Sequence, residues 1–314
     1  MRPLSHRTLT HAASLALLML LASPSIASSG DRDPTYIQCT STCLTESCTT
    51  PTPLPLSLRL TLWTCPQNCA YTCMHAVTTT LLTTTGRIHQ FHGKWPFTRV
   101  LGIQEPASVI FSLLNLYFHQ KGFKRLRRHI PRSHPTRVLS LLHSGSACIG
   151  WFWSAVFHTR DVAVTEKLDY FSAVGSITIG TVLAWHRIFG LHGRPRYNSH
   201  LVVAGFAAFY VCHVTYLSLW PFDYAYNMAA GVVVGALGNV GWLVWGVAVW
   251  RRRPYAGKIV GMVVGLLAAM ALELLDFAPL WGVLDAHSLW HAATVPLVGV
   301  YYGFLVEDAR WEPA

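Results

Sequence analysis

Five polar side chains stand where a chain this apolar would be expected to place hydrocarbon. Ser154 and His158 are four residues apart near the end of one apolar segment, Asp169 opens the next, and His287 and His291, again four apart, open the last. A four-residue interval puts both members of each pair on one face of a helix. Two histidines so spaced can hold one metal ion from a single helix, and a third from a neighbouring helix leaves a fourth tetrahedral position for water, the pattern of catalytic zinc. Bound zinc lowers the pKa of that water toward ~7. Asp169 can orient or deprotonate it, and the Ser154 hydroxyl can donate to a developing oxyanion. Singly, each residue has an ordinary reading: the histidine pair as an interfacial polar patch, Ser154 as helix packing, Asp169 as a favourable charge at a helix N-terminus. The joint pattern, two i,i+4 pairs and an acid, favours the metal site. A serine triad of Ser154, His158 and Asp169 is the mechanistic rival, and it leaves His287 and His291 unexplained.

The elements that must carry these residues are transmembrane helices. The chain has 314 residues, 52% hydrophobic and 12% charged, with the apolar residues in long blocks, which is a membrane composition. Stretches of about 20 apolar residues, enough to span a bilayer, fall at 101–119, 136–157, 168–188, 199–218, 226–250, 256–275 and 286–306. The expected fold is therefore an all-α seven-transmembrane-helix bundle, since hydrocarbon leaves the backbone no other partner. Basic residues concentrate after the first, third and fifth spans, from Lys121 to Arg137, at Arg187, Arg194 and Arg196, and from Arg251 to Lys258; the alternate loops hold only Arg160 and Lys167. By the positive-inside rule the former loops are cytosolic. That orientation puts the N-terminus in the lumen, the C-terminus in the cytosol and all five polar residues at the lumenal helix ends.

Ahead of the spans, residues 1–27 read as a cleaved signal peptide: Arg2 and Arg7, an apolar core from Ala13 to Ala22, and small residues up to Ala27. Residues 28–98 form a small lumenal region containing Cys39, Cys43, Cys48, Cys65, Cys69 and Cys73. In a secreted context these are disulfide candidates on two short helical pieces, and spacing does not choose among the pairings. A zinc cluster is the rival use. Residues 99–307 are then the seven-helix hydrolase domain and 308–314 a cytosolic tail. Cys148 and Cys212, inside apolar segments, read as small core residues.

The formal net charge of +10 lies between apolar blocks, so it reads as a topology signal toward anionic headgroups and not as a nucleic-acid surface. His143, His186 and His213 lack a partner at ligand spacing and read as bundle-facing hydrogen-bonding groups. Glu105, Asn115, Asp223, Glu273 and Asp276 are candidates to line a cavity or substrate path. Most tryptophans, including Trp151 and Trp281, fit interfacial belts.

Together, Ser154-x-x-x-His158, Asp169 and His287-x-x-x-His291 resemble the superfamily of seven-helix membrane hydrolases that includes alkaline ceramidases and adiponectin-receptor-like proteins. Gln90-Phe91-His92-Gly93-Lys94-Trp95-Pro96-Phe97, Gln104-Glu105-Pro106-Ala107-Ser108-Val109, Phe157-His158-Thr159-Arg160-Asp161 and Glu166-Lys167-Leu168-Asp169-Tyr170-Phe171 resemble, within it, the family of post-GPI-attachment-to-proteins factor three, the PER-like proteins. The resemblance implies an enzyme of the endoplasmic reticulum or Golgi membrane, a phospholipase of the A2 type that removes the sn-2 acyl chain from GPI-anchored proteins. It implies zinc held by His158, His287 and His291, with Asp169 acting on water and Ser154 supporting the site. Three other classes share parts of the pattern: a seven-helix receptor, a chaperone-like maturation factor working through its lumenal region, and a transporter, which needs polar residues continuing through the midplane.

Overall fold

The computed structural model describes residues 28–49, 53–191 and 196–311. The expected signal peptide and the last three residues of the expected tail lie outside them.

A single 3₁₀ turn at Gly30–Arg32 leads into α1, Pro34–Ser47. Asp33 starts that helix by accepting from the Thr35 and Tyr36 backbone amides at 2.8 and 3.4 Å, with Pro34 pre-set for the first helical position. The short α2, Leu56–Leu60, precedes α3, Cys65–Thr84. Cysteines four apart face one way on each helix, and α1 and α3 pack so that Cys39 pairs with Cys73, Cys43 with Cys69 and Cys48 with Cys65. The three bonds nest like rungs, each joining Cα atoms 5.7–5.8 Å apart. Tyr36, Val77 and Phe91 complete a small core around them. Removing the middle rung with Cys43→Ser and Cys69→Ser is expected to destabilise this region by about 2–5 kcal/mol, read as earlier cleavage in limited proteolysis of the detergent-solubilised protein. Unchanged protease resistance would mean that α1 and α3 hold together without it.

Seven further helices follow: α4 (Pro106–His129), α5 (Arg137–Thr159), α6 (Ala163–Ile188), α7 (Arg196–Leu219), α8 (Tyr224–Val249), α9 (Ala256–Glu273) and α10 (Ala286–Trp311). They correspond one to one with the expected spans. Helices α6 to α10 are long and apolar enough to cross a membrane. Helices α4 and α5 fall short in apolarity because their inner faces are polar, with Ser108, Ser112, Asn115 and His119 buried on α4 and Ser140, Ser144, Ser154 and His158 on α5. The last helix continues through Asp308 to Trp311.

Helices α4, α5, α6, α8, α9 and α10 close a ring, each packed on the next and α10 returning to α4. Helix α7 lies outside the ring against α6. Its outward residues include Val211 and Cys212, and Cys148 on α5 is only half-buried, so neither free cysteine is the core residue the sequence suggested. At the ring's C-terminal end, Leu126, Ile259, Val263, Phe304 and Val306 form a dense apolar core. Within it Arg187 grips Asp308 through two bonds of 2.7 and 2.9 Å, and the Tyr255 hydroxyl donates to the same carboxylate at 2.9 Å. The five polar residues singled out by sequence lie toward the opposite end of the ring.

Candidate metal centre

His158 sits in the last turn of α5, and His287 and His291 occupy the first turns of α10. The ring brings these helix ends together. The three imidazoles lie 4.5–5.1 Å apart between centroids, and one potential ligand atom from each falls within 4.8 Å of the other two. Nitrogens bound tetrahedrally to zinc stand roughly 3.4 Å apart, somewhat closer than this limit.

Each histidine has its Nδ1 engaged. His158 Nδ1 meets Glu105 Oε2 at 2.6 Å, His287 Nδ1 lies 2.9 Å from both oxygens of Glu273, and His291 Nδ1 lies 3.0 Å from Ser112 Oγ. Against a carboxylate, Nδ1 must be the donor, which leaves the Nε2 lone pair as the ligand. A carboxylate behind the imidazole is the usual support of a metal-binding histidine, fixing its tautomer and raising its basicity. The donor set and its supports therefore fit zinc.

Glu105 is itself held. Lys94 Nζ bonds its other oxygen at 2.6 Å, bonds Asp161 Oδ2 at 2.8 Å, and stands 4.4 Å from the centre of the Phe157 ring. Burial would lower the Lys94 pKa, but the Glu105 and Asp161 carboxylates outweigh it and raise the group above its ordinary value, so the ammonium stays charged. Lys94 closes a tight turn in which Phe91 and Lys94 exchange backbone bonds of 2.7 and 2.9 Å. The cysteine-rich region thus reaches directly into the support of His158. At the start of α4, Glu105 also binds His158 through the backbone, Glu105 N donating to His158 O at 3.0 Å.

Ser154 is buried, and its hydroxyl pairs with Ser112 Oγ at 3.0 Å, one bond removed from His291. Asp169, which the sequence placed at the start of a span, lies in the second turn of α6, where its carboxylate interacts electrostatically with His158 and His287. A serine triad is not formed, since Ser154 bonds Ser112 and the Nδ1 of His158 is held by Glu105 and not by Asp169. The rings of Trp151 and Trp290 cover His291 at 5.1 and 4.9 Å, keeping this side of the cluster apolar. Beneath it, Asn115 donates to the His291 carbonyl at 2.9 Å and receives a bond from Thr294 at 3.2 Å.

Among the suspected cavity residues, Glu105, Asn115 and Glu273 therefore belong to the centre, whereas Asp223 caps α8 and Asp276 receives the Trp95 indole N–H at 2.8 Å. Sequence reasoning missed Ser112 and the clamp of Lys94 on Glu105. Ser112 is one of two serines on its helix, with no histidine four residues away. Glu105 precedes a helix-opening proline, where an acid reads as an end charge, although its place beside the Lys94 motif in the quoted family patterns was a usable signal.

The fold and this centre together define an all-α, multi-pass membrane protein with three histidines gathered at one end of a helix ring. The chain belongs to the Per1-like family, whose family model matches residues 55–309. It is 42% identical over 308 residues to "GPI-specific phospholipase A2-like PGAP3" of Xenopus tropicalis, covering 94% of this chain and 95% of that protein. It is 39% identical to the human protein of the same description over 96% and 95% of the two chains, and 38% identical to "Protein PER1 homolog" of Schizosaccharomyces pombe over 91% and 88%. No solved structure matches the chain.

Proposed function

We propose that this protein is a GPI-anchor remodelling hydrolase that removes the sn-2 acyl chain from GPI-anchored proteins by zinc-assisted ester hydrolysis. The observation that carries the reading is the convergence of His158, His287 and His291 with two of the three Nδ1 atoms backed by carboxylates. The names of the relatives, GPI-specific phospholipase A2-like, supply the substrate class.

Zinc, when bound by the three histidines, supplies Lewis acidity and a more acidic water. The chain's own groups do the rest. Asp169 accepts a proton from the attacking water, the Ser154 hydroxyl donates to the developing oxyanion, and Asp169 returns the proton to the leaving glycerol oxygen. One water is consumed, and a free fatty acid and a lyso-GPI protein leave. Ser112 bonds both the His291 ring and the Ser154 hydroxyl, and Asn115 and Thr294 tie down the His291 backbone carbonyl. The working site is a lumenal helix end in the endoplasmic reticulum or Golgi membrane, with the C-terminus cytosolic.

The test is rescue in cells lacking their own remodelling enzyme, with the acyl composition of GPI anchors read by mass spectrometry. Wild type should remove the unsaturated sn-2 chain, while His287→Ala and His291→Ala, expressed and localised normally, should leave it. Ser154→Ala should slow removal about 10²–10³-fold, as for loss of one oxyanion donor. Remodelling at wild-type level by all three variants would leave a receptor or chaperone-like factor in place of the enzyme.

A further inference from the structure

Three turns on the histidine side of the molecule carry side chains that suit neither their backbone nor water. Leu62 (φ 59°), Leu101 (φ 52°) and Trp281 (φ 53°) all lie in the left-handed region, which bulky residues adopt rarely and at a cost. In two of them a glycine follows at positive φ, Gly102 at 87° and Gly282 at 74°. That succession is the φ signature of a type I′ turn, whose first position favours asparagine. All three side chains are nonetheless exposed, at 75%, 79% and 84%. A chain needing only the turn would gain from a small polar residue at each tip.

The turns are fixed to one another and to the metal centre. Thr98 N donates to Gly282 O at 2.8 Å, the Trp63 indole donates to Gly102 O at 2.8 Å, and Gly102 lies so close to Thr61 that a Cβ there would collide with it. Gln104 N and Glu105 N then bind the carbonyls of Thr159 and His158, each at 3.0 Å. No charged residue occurs between Arg99 and Glu105 or between Asp276 and Asp285. Leu274 and Leu275, which follow the membrane-length apolar helix α9 in the chain ahead of the Trp281 turn, are exposed as well.

We propose that Leu101 and Trp281, with Leu62 beside them, form an anchor that inserts into the bilayer leaflet on the histidine side and seats the mouth of the centre at the headgroup–acyl boundary. Tryptophan is suited to that depth, and a bulky apolar tip that is idle in water gains by burial there. The occupant is the lipid surface itself. The proposal concerns placement in the membrane and stands whatever reaction the centre performs.

The experiment places a nitroxide label at Leu101→Cys or at Trp281→Cys in the full chain carrying Cys148→Ala and Cys212→Ala, reconstituted in phosphatidylcholine vesicles. Accessibility to oxygen relative to a water-soluble nickel chelate should be several-fold higher at both tips than at Thr83→Cys, an exposed position on α3. A ratio at the tips equal to that control would overturn the proposal, and so would exclusion of both reagents, which would mean a covering protein surface. Where a labelled variant fails to fold, Trp281→Asn, which suits the left-handed turn, serves in its place. Vesicles brominated near the headgroups should quench wild-type fluorescence more than that of Trp281→Asn, and equal quenching would sink the idea.

Discussion

Glutamine at position 105 is expected to lower acyl release by about 10–100-fold while leaving the helix ring assembled, the effect typical of losing the partner behind a metal ligand. The two oxygens of Glu105 each accept a bond, one from His158 Nδ1 and one from Lys94 Nζ. Glutamine has a single acceptor, so whichever way its amide turns it presents an N–H to one of two donors. If the carbonyl faces His158, the histidine keeps its tautomer but loses the negative charge that raises its basicity. If it faces Lys94, His158 is released to rotate. Lys94 keeps Asp161 at 2.8 Å, so the stability cost should resemble one unsatisfied buried donor, about 1–3 kcal/mol. Adding Lys94→Met should recover most of that stability and none of the activity. Metal content and acyl release measured together on the purified variants check this. A Glu105→Gln protein with wild-type activity would remove Glu105 from the support of the centre.

Asp308→Asn should do the reverse, costing about 3–5 kcal/mol of stability because it leaves the Arg187 guanidinium buried without its carboxylate. The site lies at the far end of α6 and α10 from the histidines, in the densest part of the apolar core. With its carbonyl in the place of Oδ1, asparagine can still receive Arg187 Nη2 and the Tyr255 hydroxyl, but it turns an N–H toward Arg187 Nε and has lost the negative charge. The surviving folded molecules should release acyl chains at the wild-type rate per molecule, because no contact of the metal centre passes through Asp308. Thermal unfolding in detergent, followed alongside activity per folded molecule, separates the two effects. Reduced specific activity with normal stability would mean that the two ends of the ring are coupled.

The order of the helices was legible because each requires a block of about 20 apolar residues, and seven such blocks stand apart in the chain. Their ring closure was not. Nothing in local hydropathy says that α10 returns to α4 or that α7 stays outside, since those choices depend on side-chain packing between helices distant in sequence. The histidine-bearing pairs at 154/158 and 287/291 could be read because i,i+4 spacing is a local signal, and the structure brings the three histidines together. Their supports were harder to see: Lys94 comes from a turn before the ring, Glu105 and Ser112 from the start of α4 and Glu273 from the end of α9, and only the folded ring makes them neighbours. The disulfide candidates were visible as a group, whereas their pairing depends on α1 and α3 running antiparallel.

That antiparallel pairing has a consequence for biosynthesis. Because the rungs nest, the first cysteine of the six, Cys39, has as its partner the last, Cys73, and the innermost rung joins Cys48 to Cys65. In the N-to-C synthesis into the lumen proposed for this region, Cys39, Cys43 and Cys48 all precede their native partners. Any bond they form then is non-native and must be reshuffled by attack of a later thiolate. Maturation of this protein should accordingly depend on disulfide isomerisation and not merely on oxidation, with pulse-labelled chains passing through mixed-disulfide species before α3 locks onto α1.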